Sequence, residues 1–369
     1  MRKLVTIRKI SDIVPIEGAD AIELVKVDGW QVVSKKGEFS KDDYCIYFEI
    51  DSFLPVKEKF EFLRKSSFRK DVTGKEGFRL RTIKLRKQLS QGLVLPVSEF
   101  IEELGLKSGT GEELEALLGV DLAEQLEVTK YEAPQPANMH TNAKGNFPSF
   151  IPKTDQERIQ NLWKEYKEDY KDQKFEVTLK LDGTSATYYY NEGKLGVCSR
   201  NLELKFDEEV DLVDKGDSES RNKGTYISVG VRQGIFKALK SLGRNLAIQG
   251  EIIGEGIQGN KEGIRGQKLY IYDVYDIDKK CYLTSYERCS LLIHKMELAP
   301  SSLIPISHPQ EYCVELSKFE TLDDLLKYAD GKSLNSEIRE GLVFKSMNLI
   351  GGRVISFKVI SNEFLLKYD

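Results

Sequence analysis

The sequence predicts an α+β protein in which a small N-terminal β-barrel precedes a larger domain of antiparallel sheets and helices. Three observations support this prediction. Short alternating strand patterns separated by glycine turns fill residues 1–98. A segment rich in Pro, Asn and Gly follows at 131–152, and strand patterns mixed with a few helical ones fill the rest. The 369 residues are enough for two domains, each with its own core.

The N-terminal domain is predicted to be an OB-fold β-barrel that spans residues 1–128 and ends in a short helical extension. Ile22–Val33 alternates apolar and polar residues around Asp28-Gly29, a dipeptide typical of tight hairpin turns. Tyr44–Ile50 has the composition of a central strand, and Gln91–Pro96 predicts the strand that closes the barrel.

A cationic segment lies inside this predicted barrel. From Arg64 to Lys87 the chain has ten Lys and Arg residues but only two acidic ones. Phe78–Arg86 alternates apolar and basic residues, which predicts one strand with a cationic face. A solvated basic hairpin is the alternative, but the interleaved aromatic residues favour contact with nucleic acid or nucleotide phosphates. The candidate side chains are Arg79, Arg81, Lys84 and Arg86.

A linker is predicted at 129–152, followed by the second domain at 153–369. Thr154 and Glu157 have the spacing of a capping box for a helix whose apolar stripe continues to Tyr170. Further helices are predicted at Gly230–Gly243 and Leu322–Tyr328.

Composition excludes several classes of protein. No apolar run reaches the ~18 residues that a membrane-spanning helix needs. The five cysteines are odd in number and lack a Cys-x-x-Cys pair, which predicts reduced thiols in a cytoplasmic protein, or a nuclear one in a eukaryote. The net charge of −4 argues against general polyanion binding by the whole molecule.

The clearest chemistry lies in Lys180-Leu181-Asp182-Gly183, where an apolar strand pattern meets a glycine turn. A lysine at the end of a buried strand loses hydration, which favours the neutral, nucleophilic amine. Asp182 shares a strand face with Lys180, so both side chains can reach one pocket. Gly183 permits a tight turn and close approach of a ligand. The tetrapeptide alone also occurs in ordinary turns, so its context decides.

Five further segments follow this tetrapeptide in order. They are Ser199-Arg200-Asn201, Gln249–Ile252, Leu269–Tyr275, Glu340–Lys345 and Ser356–Val359. The series resembles the covalent nucleotidyltransferases, the superfamily of ATP-dependent DNA and RNA ligases and capping enzymes. Over nearly its whole length the chain is most similar to ATP-dependent RNA ligases with an OB domain on the N-terminal side. The resemblance implies that 153–369 is a nucleotidyltransferase (adenylyltransferase) domain.

The resemblance also implies catalytic roles. Lys180 would attack the α-phosphorus of ATP, releasing pyrophosphate and forming lysyl-AMP. Asp182 and Glu340 would hold Mg²⁺ or Mn²⁺, which neutralises the phosphates. Lys345 and Lys358 would bind the α-phosphate and, as cations, push Lys180 toward its neutral form.

Nucleotide contacts follow from the same resemblance. Glu251 would accept hydrogen bonds from the ribose hydroxyls, and Tyr272 would stack on adenine, with Tyr270 on the same face as the alternative. Arg200 would contact a phosphate of the RNA end or of AMP, and Arg158 would contact phosphate or ribose.

One motif departs from the pattern of the relatives. Many of them carry two lysines separated by one residue in the last motif, but Ser356 stands two positions before Lys358. We therefore expect Lys345 or Arg353 to supply the second cation.

The implied function is ATP-dependent joining of RNA 3′-OH and 5′-phosphate ends through lysyl-AMP and adenylylated RNA, with a nicked duplex carrying an RNA 3′-OH strand as the natural substrate. A DNA ligase or capping guanylyltransferase is one alternative, but the chain leaves no room after Lys358 for the further OB domain of those enzymes. A non-catalytic RNA-binding protein is another alternative, and the retention together of four residues, Lys180, Glu251, Glu340 and Lys358, argues against it. The sequence leaves the oligomeric state open.

Overall fold

The computed structural model describes residues 2–133, 142–212, 224–307 and 312–368. The chain divides into two compact units, residues 1–136 with 365–369, and residues 137–364. Part of the predicted linker, 134–141, lies outside the described residues.

The first unit is built from short antiparallel strands. They are β1 (Val5–Lys9), β2 (Asp12–Pro15), β3 (Ile22–Val27), β4 (Trp30–Lys35), β5 (Tyr44–Phe48), β6 (Ser52–Pro55), β7 (Phe68–Lys70), β8 (Glu76–Arg79), β9 (Thr82–Leu85), β10 (Gln88–Gln91), β11 (Leu93–Pro96) and β12 (Thr129–Lys130). The sheet orders are β1-β5-β11, β2-β3-β4, β12-β6-β8-β7 and β10-β9. Helices of this unit include Arg64–Ser67 and Gly111–Ala116.

The predicted hairpin at Ile22–Val33 is confirmed. β3 and β4 pair antiparallel, and Asp28 and Gly29 between them have φ of 46° and 76°. Two left-handed residues give the turn a twist that matches the strands, which is why Asp-Gly was informative. Trp30 on β4 is fully buried in the core of this unit.

The predicted single strand Phe78–Arg86 is wrong in detail. The chain leaves β8 at Arg79 and enters β9 at Thr82, and these two strands pair in different sheets. The basic residues change parity in this segment, since Arg79 and Arg81 are odd-numbered while Lys84 and Arg86 are even-numbered. One continuous strand would therefore put them on opposite faces, so a single cationic strand face does not form.

The second unit is also dominated by antiparallel strands. They are β13 (Ala143–Asn146), β14 (Lys174–Lys180), β15 (Thr184–Asn191), β16 (Lys194–Cys198), β17 (Leu202–Leu204), β18 (Leu246–Gly254), β19 (Gln267–Asp276), β20 (Cys281–Tyr282), β21 (Cys313–Glu315), β22 (Gly341–Ser346) and β23 (Ser356–Ile360). The helices include Trp163–Asp169, Glu208–Asp211, Thr225–Arg232, Ile235–Leu242, Ser285–Ser290 and Leu322–Tyr328. The last helix, Asn362–Tyr368, begins in this unit and continues into residues that are assigned to the first unit.

Two sheets organise this unit. The large sheet has the order β13-β17-β16-β15-β18-β19-β20, and the small sheet has the order β21-β14-β22-β23. The helices Thr225–Arg232 and Ile235–Leu242 pack on one face of the large sheet, and Leu322–Tyr328 joins the core behind the small sheet. Because β14 lies in the small sheet and β15 in the large one, the connection Leu181–Gly183 carries the chain from one sheet to the other.

Helix predictions in this unit had mixed outcomes. Leu322–Tyr328 is confirmed with its bounds, whereas Gly230–Gly243 contains the end of one helix and all of the next, broken near left-handed Gly234. The capping box at Thr154 is wrong, because 152–157 is irregular and the α-helix begins at Trp163. The apolar stripe was nevertheless a core signal, since Ile159 is buried and Tyr170 packs on the same core.

Candidate active site

Lys180 ends β14 directly opposite Gly341 on β22. Its Nζ donates a hydrogen bond to Oε1 of Glu340 at 2.7 Å. Burial by itself lowers the pKa of Lys180, but Glu340, Glu251 and Asp182 together raise it above its ordinary value. The expectation that this environment favours a neutral amine is therefore wrong, because carboxylates and not cations have the larger effect on the pKa of Lys180.

Gly183 explains how the catalytic segment fits between the sheets. A Cβ at this position would stand 2.3 Å from the carbonyl oxygen of Ile252 and 3.0 Å from Cγ of Glu251. Such contacts are shorter than packed atoms allow, so only glycine lets β15 approach β18 here. Because of this close approach, the carboxylate of Glu251 on the large sheet raises the pKa of Lys180 on the small sheet.

Three carboxylates act on the charge of the amine, one by direct contact and two from further away, and each has a different environment. Glu340 stands just before β22, and its second oxygen, Oε2, is buried without a hydrogen-bond partner in the described part of the chain. Burial raises the pKa of Glu251 to about 7, although Lys180 opposes this rise. Asp182 forms an ion pair with Lys261.

This arrangement fits a divalent cation of the magnesium type. Within the described residues, no group of three or more His, Cys, Asp or Glu side chains forms an all-protein metal cage. Mg²⁺ does not need one, since it keeps several waters and binds through one or two carboxylates together with substrate phosphates. The unpartnered Oε2 of Glu340 and the carboxylate of Asp182 are suitable groups.

Tyr272 lies at a β-bulge in the large sheet. The β18–β19 register shifts after Gln249, which pairs with Asp273, while Gly250 pairs with Ile271. Tyr272 is therefore the extra residue, and its hydroxyl lies 3.2 Å from Ser185 Oγ and donates to Thr154 Oγ1 at 3.1 Å. The residue is partly exposed, and the ammonium of Lys345 lies 5.3 Å from the centroid of its ring.

Tyr270, the alternative stacking residue, is buried in the core. The ammonium of Lys268 lies over its ring, 4.7 Å from the centroid. Tyr272 is thus the better candidate for stacking, because it is partly exposed whereas Tyr270 is buried.

Lys345, Ser356 and Lys358 occupy one face of the small sheet. Lys345 pairs with Ser356 and Val343 with Lys358 in the β22–β23 register, while Phe344 and Phe357 pack into the core on the other face. Nζ of Lys345 contacts Asp273 Oδ1 at 2.7 Å and donates to the Tyr272 carbonyl at 2.6 Å. Burial lowers the pKa of Lys345, and Asp273 opposes this effect.

The arginine candidates have different surroundings. Arg200 is exposed and pairs with Asp155 at 2.8 Å. Arg158 forms a backbone bridge to Lys358 on β23, which places both residues at the same edge of the small sheet. In the first unit, Arg79 lies over the Tyr131 ring at 4.7 Å and contacts Asp51.

Arg81, Lys84 and Arg86 are fully exposed and lie on or beside the β9–β10 hairpin of the first unit. Arg79 therefore packs within the first unit, and Lys84 donates a hydrogen bond to the Leu366 carbonyl at 2.7 Å, while Arg81 and Arg86 extend from the surface.

Lys261 was not indicated by the sequence patterns. It lies between β18 and β19 in a loop that contains several left-handed glycines, and Glu262 beside it accepts backbone N–H groups of Asn335 and Ser336. A lysine within a glycine-rich loop that follows a strand was the available signal. Thr154, interpreted as a helix cap, instead contacts Tyr272.

Comparisons with known proteins agree with this geometry. A family model described as RNA ligase matches residues 173–360, and one described as an OB-fold domain matches residues 4–97. A lysine-to-alanine variant of Naegleria gruberi RNA ligase, solved with ATP and Mn, is 42% identical, covers 99% of this chain and 99% of its own, and has a TM-score of 0.78. The same ligase solved with PPi is 43% identical, covers 100% of this chain and 99% of its own, and has a TM-score of 0.77. Among curated proteins no match was found.

Proposed function

The chain belongs to the RNA ligase family and is an ATP-dependent RNA ligase that uses a divalent metal, and from this premise we propose that it seals nicks in duplexes whose 3′-OH strand is RNA. The observation that supports a covalent route is the amine of Lys180, which lies among three carboxylates at the junction of two sheets. An RNA 3′-OH strand is favoured because the 2′-OH is the group by which a protein distinguishes RNA from DNA.

Lys180 is proposed to attack the α-phosphorus of ATP, so that an N–P bond forms and the bond to pyrophosphate breaks. Its ammonium must lose a proton and leave Glu340 before the nitrogen lone pair can attack. Asp182 and Glu340 would hold Mg²⁺ or Mn²⁺, which supplies charge neutralisation on the phosphates when bound. The AMP then passes to the RNA 5′-phosphate, and the 3′-OH displaces it to form the phosphodiester.

The remaining residues are proposed to orient the nucleotide. Tyr272 is partly exposed and offers its ring for adenine stacking, and Glu251 offers a carboxylate to the ribose hydroxyls. Lys345 and Lys358 lie on the same sheet face as Lys180, which suits contact with one phosphate. Lys345 lies opposite Ser356, so it is our candidate for the cation that the last motif lacks.

Arg158 is proposed to contact phosphate or ribose, and Arg200 a phosphate of the RNA end or of AMP.

RNA contact in the first unit is proposed to involve Arg81, Lys84 and Arg86. Exposed basic side chains next to the exposed side chains of Ile83 and Leu85 suit contact with the phosphate backbone and sugars of a nucleic acid. Arg79 is a weaker candidate for this role because of its packing on Tyr131.

The predicted boundaries at 128 and 152 and a cytoplasmic or nuclear location remain proposals. All five cysteines are unpaired, which suits a reducing compartment. No helix in the described ranges is long and apolar enough to cross a membrane.

The test is the variant Lys180→Ala, with Lys174→Ala at the exposed start of the same strand as the matched control. Incubated with α-labelled ATP and Mg²⁺, Lys180→Ala should show no covalent label, whereas Lys174→Ala should label like the wild type. Lys180→Ala should still seal an RNA nick that is already 5′-adenylylated. Normal labelling of Lys180→Ala would refute the nucleophile assignment.

The substrate is tested with the wild type on matched nicks. An RNA 3′-OH strand should be sealed faster than a DNA 3′-OH strand or a single-stranded RNA. Equal rates on all three would refute the nick proposal while leaving the ligase assignment intact.

A further inference from the structure

A buried ion pair behind the site has no role in the chemistry described so far. Nη2 of Arg288 donates to both carboxylate oxygens of Glu176, at 2.7 and 2.9 Å, and both side chains are only 3% exposed. Ser285 Oγ donates to the same carboxylate at 2.6 Å. Ser285 and Arg288 are three residues apart on the capped helix Ser285–Ser290, which puts them on one helix face.

This pair lies next to Lys345. Glu176 is the direct cross-strand partner of Lys345 between β14 and β22, on the face that carries Lys180. Side chains directly opposite each other on antiparallel strands are close neighbours. Burial lowers the pKa of Lys345, Arg288 lowers it further, and Asp273 and Glu176 raise it, so these four charges affect one another.

The four charges balance as two cations and two carboxylates. Arg288 holds Glu176, which leaves the ammonium of Lys345 to Asp273 and the Tyr272 carbonyl. Without Arg288, a buried Glu176 carboxylate would lack its cation and would compete for Lys345, because an unpaired buried charge is costly. The Tyr272 carbonyl, which lies at the β-bulge, would then lose its donor.

We propose that the Glu176–Arg288 pair positions the adenine-binding surface by keeping Lys345 on Asp273 and on the Tyr272 carbonyl. Glu176 and Arg288 are positioning residues in this scheme, since they act on the nucleotide only through Lys345 and Tyr272. The inference rests on the proposed function, in which Tyr272 stacks on adenine.

The experiment uses the full-length enzyme and measures KM for ATP and kcat of lysyl-AMP formation at a temperature where each variant is folded by circular dichroism. Arg288→Met should raise KM about tenfold, in keeping with one lost charge-assisted contact, and any fall in kcat should come in addition to this rise because Lys345 is also proposed to contact phosphate. The double variant Glu176→Gln/Arg288→Met restores the charge balance and should return KM to within about threefold of wild type. A purely structural role predicts a lower active fraction, and hence lower kcat, at unchanged KM.

The matched control is Arg244→Met, which removes an arginine–carboxylate pair (to Asp276, 2.9 Å) whose arginine is half-exposed. Its KM should equal that of the wild type. An unchanged KM in folded Arg288→Met, or a raised KM in the double variant, would overturn the inference. If Arg288→Met does not fold, the double variant decides alone, since it keeps the charge balance.

Tyr272→Ala separates this inference from the proposed function. If Tyr272→Ala leaves KM for ATP unchanged, the adenine assignment itself is wrong. If Tyr272→Ala raises KM and Arg288→Met does not, only the positioning role is wrong.

Discussion

Gly183→Ala should damage lysyl-AMP formation more than it damages the fold. The added Cβ would stand 2.3 Å from the Ile252 carbonyl oxygen and 2.6 Å from Cγ2 of Ile253, so the backbone must shift by roughly 0.7 Å to reach an ordinary 3.0 Å contact. Overpacking of this kind costs about 1–3 kcal/mol of stability. The shift acts on the segment that carries Lys180 and Asp182, and a misplacement of about 1 Å costs on the order of 100-fold in rate.

The assay compares the rate of label transfer from α-labelled ATP with the thermal midpoint of unfolding. Gly145→Ala is the matched control, because a Cβ there meets nothing within 4 Å and the residue lies in strand β13 of the same unit. Gly183→Ala should be slower by about 30- to 100-fold while still folded, and Gly145→Ala should match the wild type. A folded Gly183→Ala with the wild-type rate would refute the argument that this glycine sets the spacing between β15 and β18.

Three further predictions concern other parts of the molecule. Tyr272→Phe should be mild, whereas Tyr272→Ala should raise KM for ATP, since one base-stacking contact contributes about 1–3 kcal/mol; equal effects would exclude stacking. Lys261→Gln should lower the Mg²⁺ concentration for half-maximal lysyl-AMP formation several-fold, because the ammonium of Lys261 pairs with Asp182 and would compete with the metal for this carboxylate. A higher requirement would contradict this. Arg86 and Lys87 are exposed at the tip of the β9–β10 hairpin. Replacing both by Ala should weaken binding of nicked RNA at low salt and reduce the slope of log K against log salt by about 1 per phosphate contact. An unchanged slope would show that the hairpin tip does not contact the RNA.

The sequence could predict those features whose signals are local. Period-two alternation and Asp28-Gly29 were sufficient for the first hairpin, and Gly183 after an apolar strand was sufficient for the break between β14 and β15. The order of motifs then identified the family, which neither composition nor periodicity alone could do.

Other features depend on residues that are distant in the sequence. The protonation of Lys180 is set by Glu340 and Glu251, which join it only after two sheets have assembled. Thr154 had the spacing of a helix cap, but its hydroxyl accepts a hydrogen bond from Tyr272, more than a hundred residues away. Lys261 was missed for the same reason, since its partner Asp182 lies on another strand connection.

If Lys180 is the nucleophile, as we propose, its activation has to involve the substrate as well as the fold. Glu340, Glu251 and Asp182 raise the pKa of Lys180 above its ordinary value, and together they outweigh the effect of burial. Lys345 lies on the same sheet face as Lys180, but its ammonium is paired with Asp273. We therefore expect the amine of Lys180 to become nucleophilic when bound ligands draw those carboxylates away.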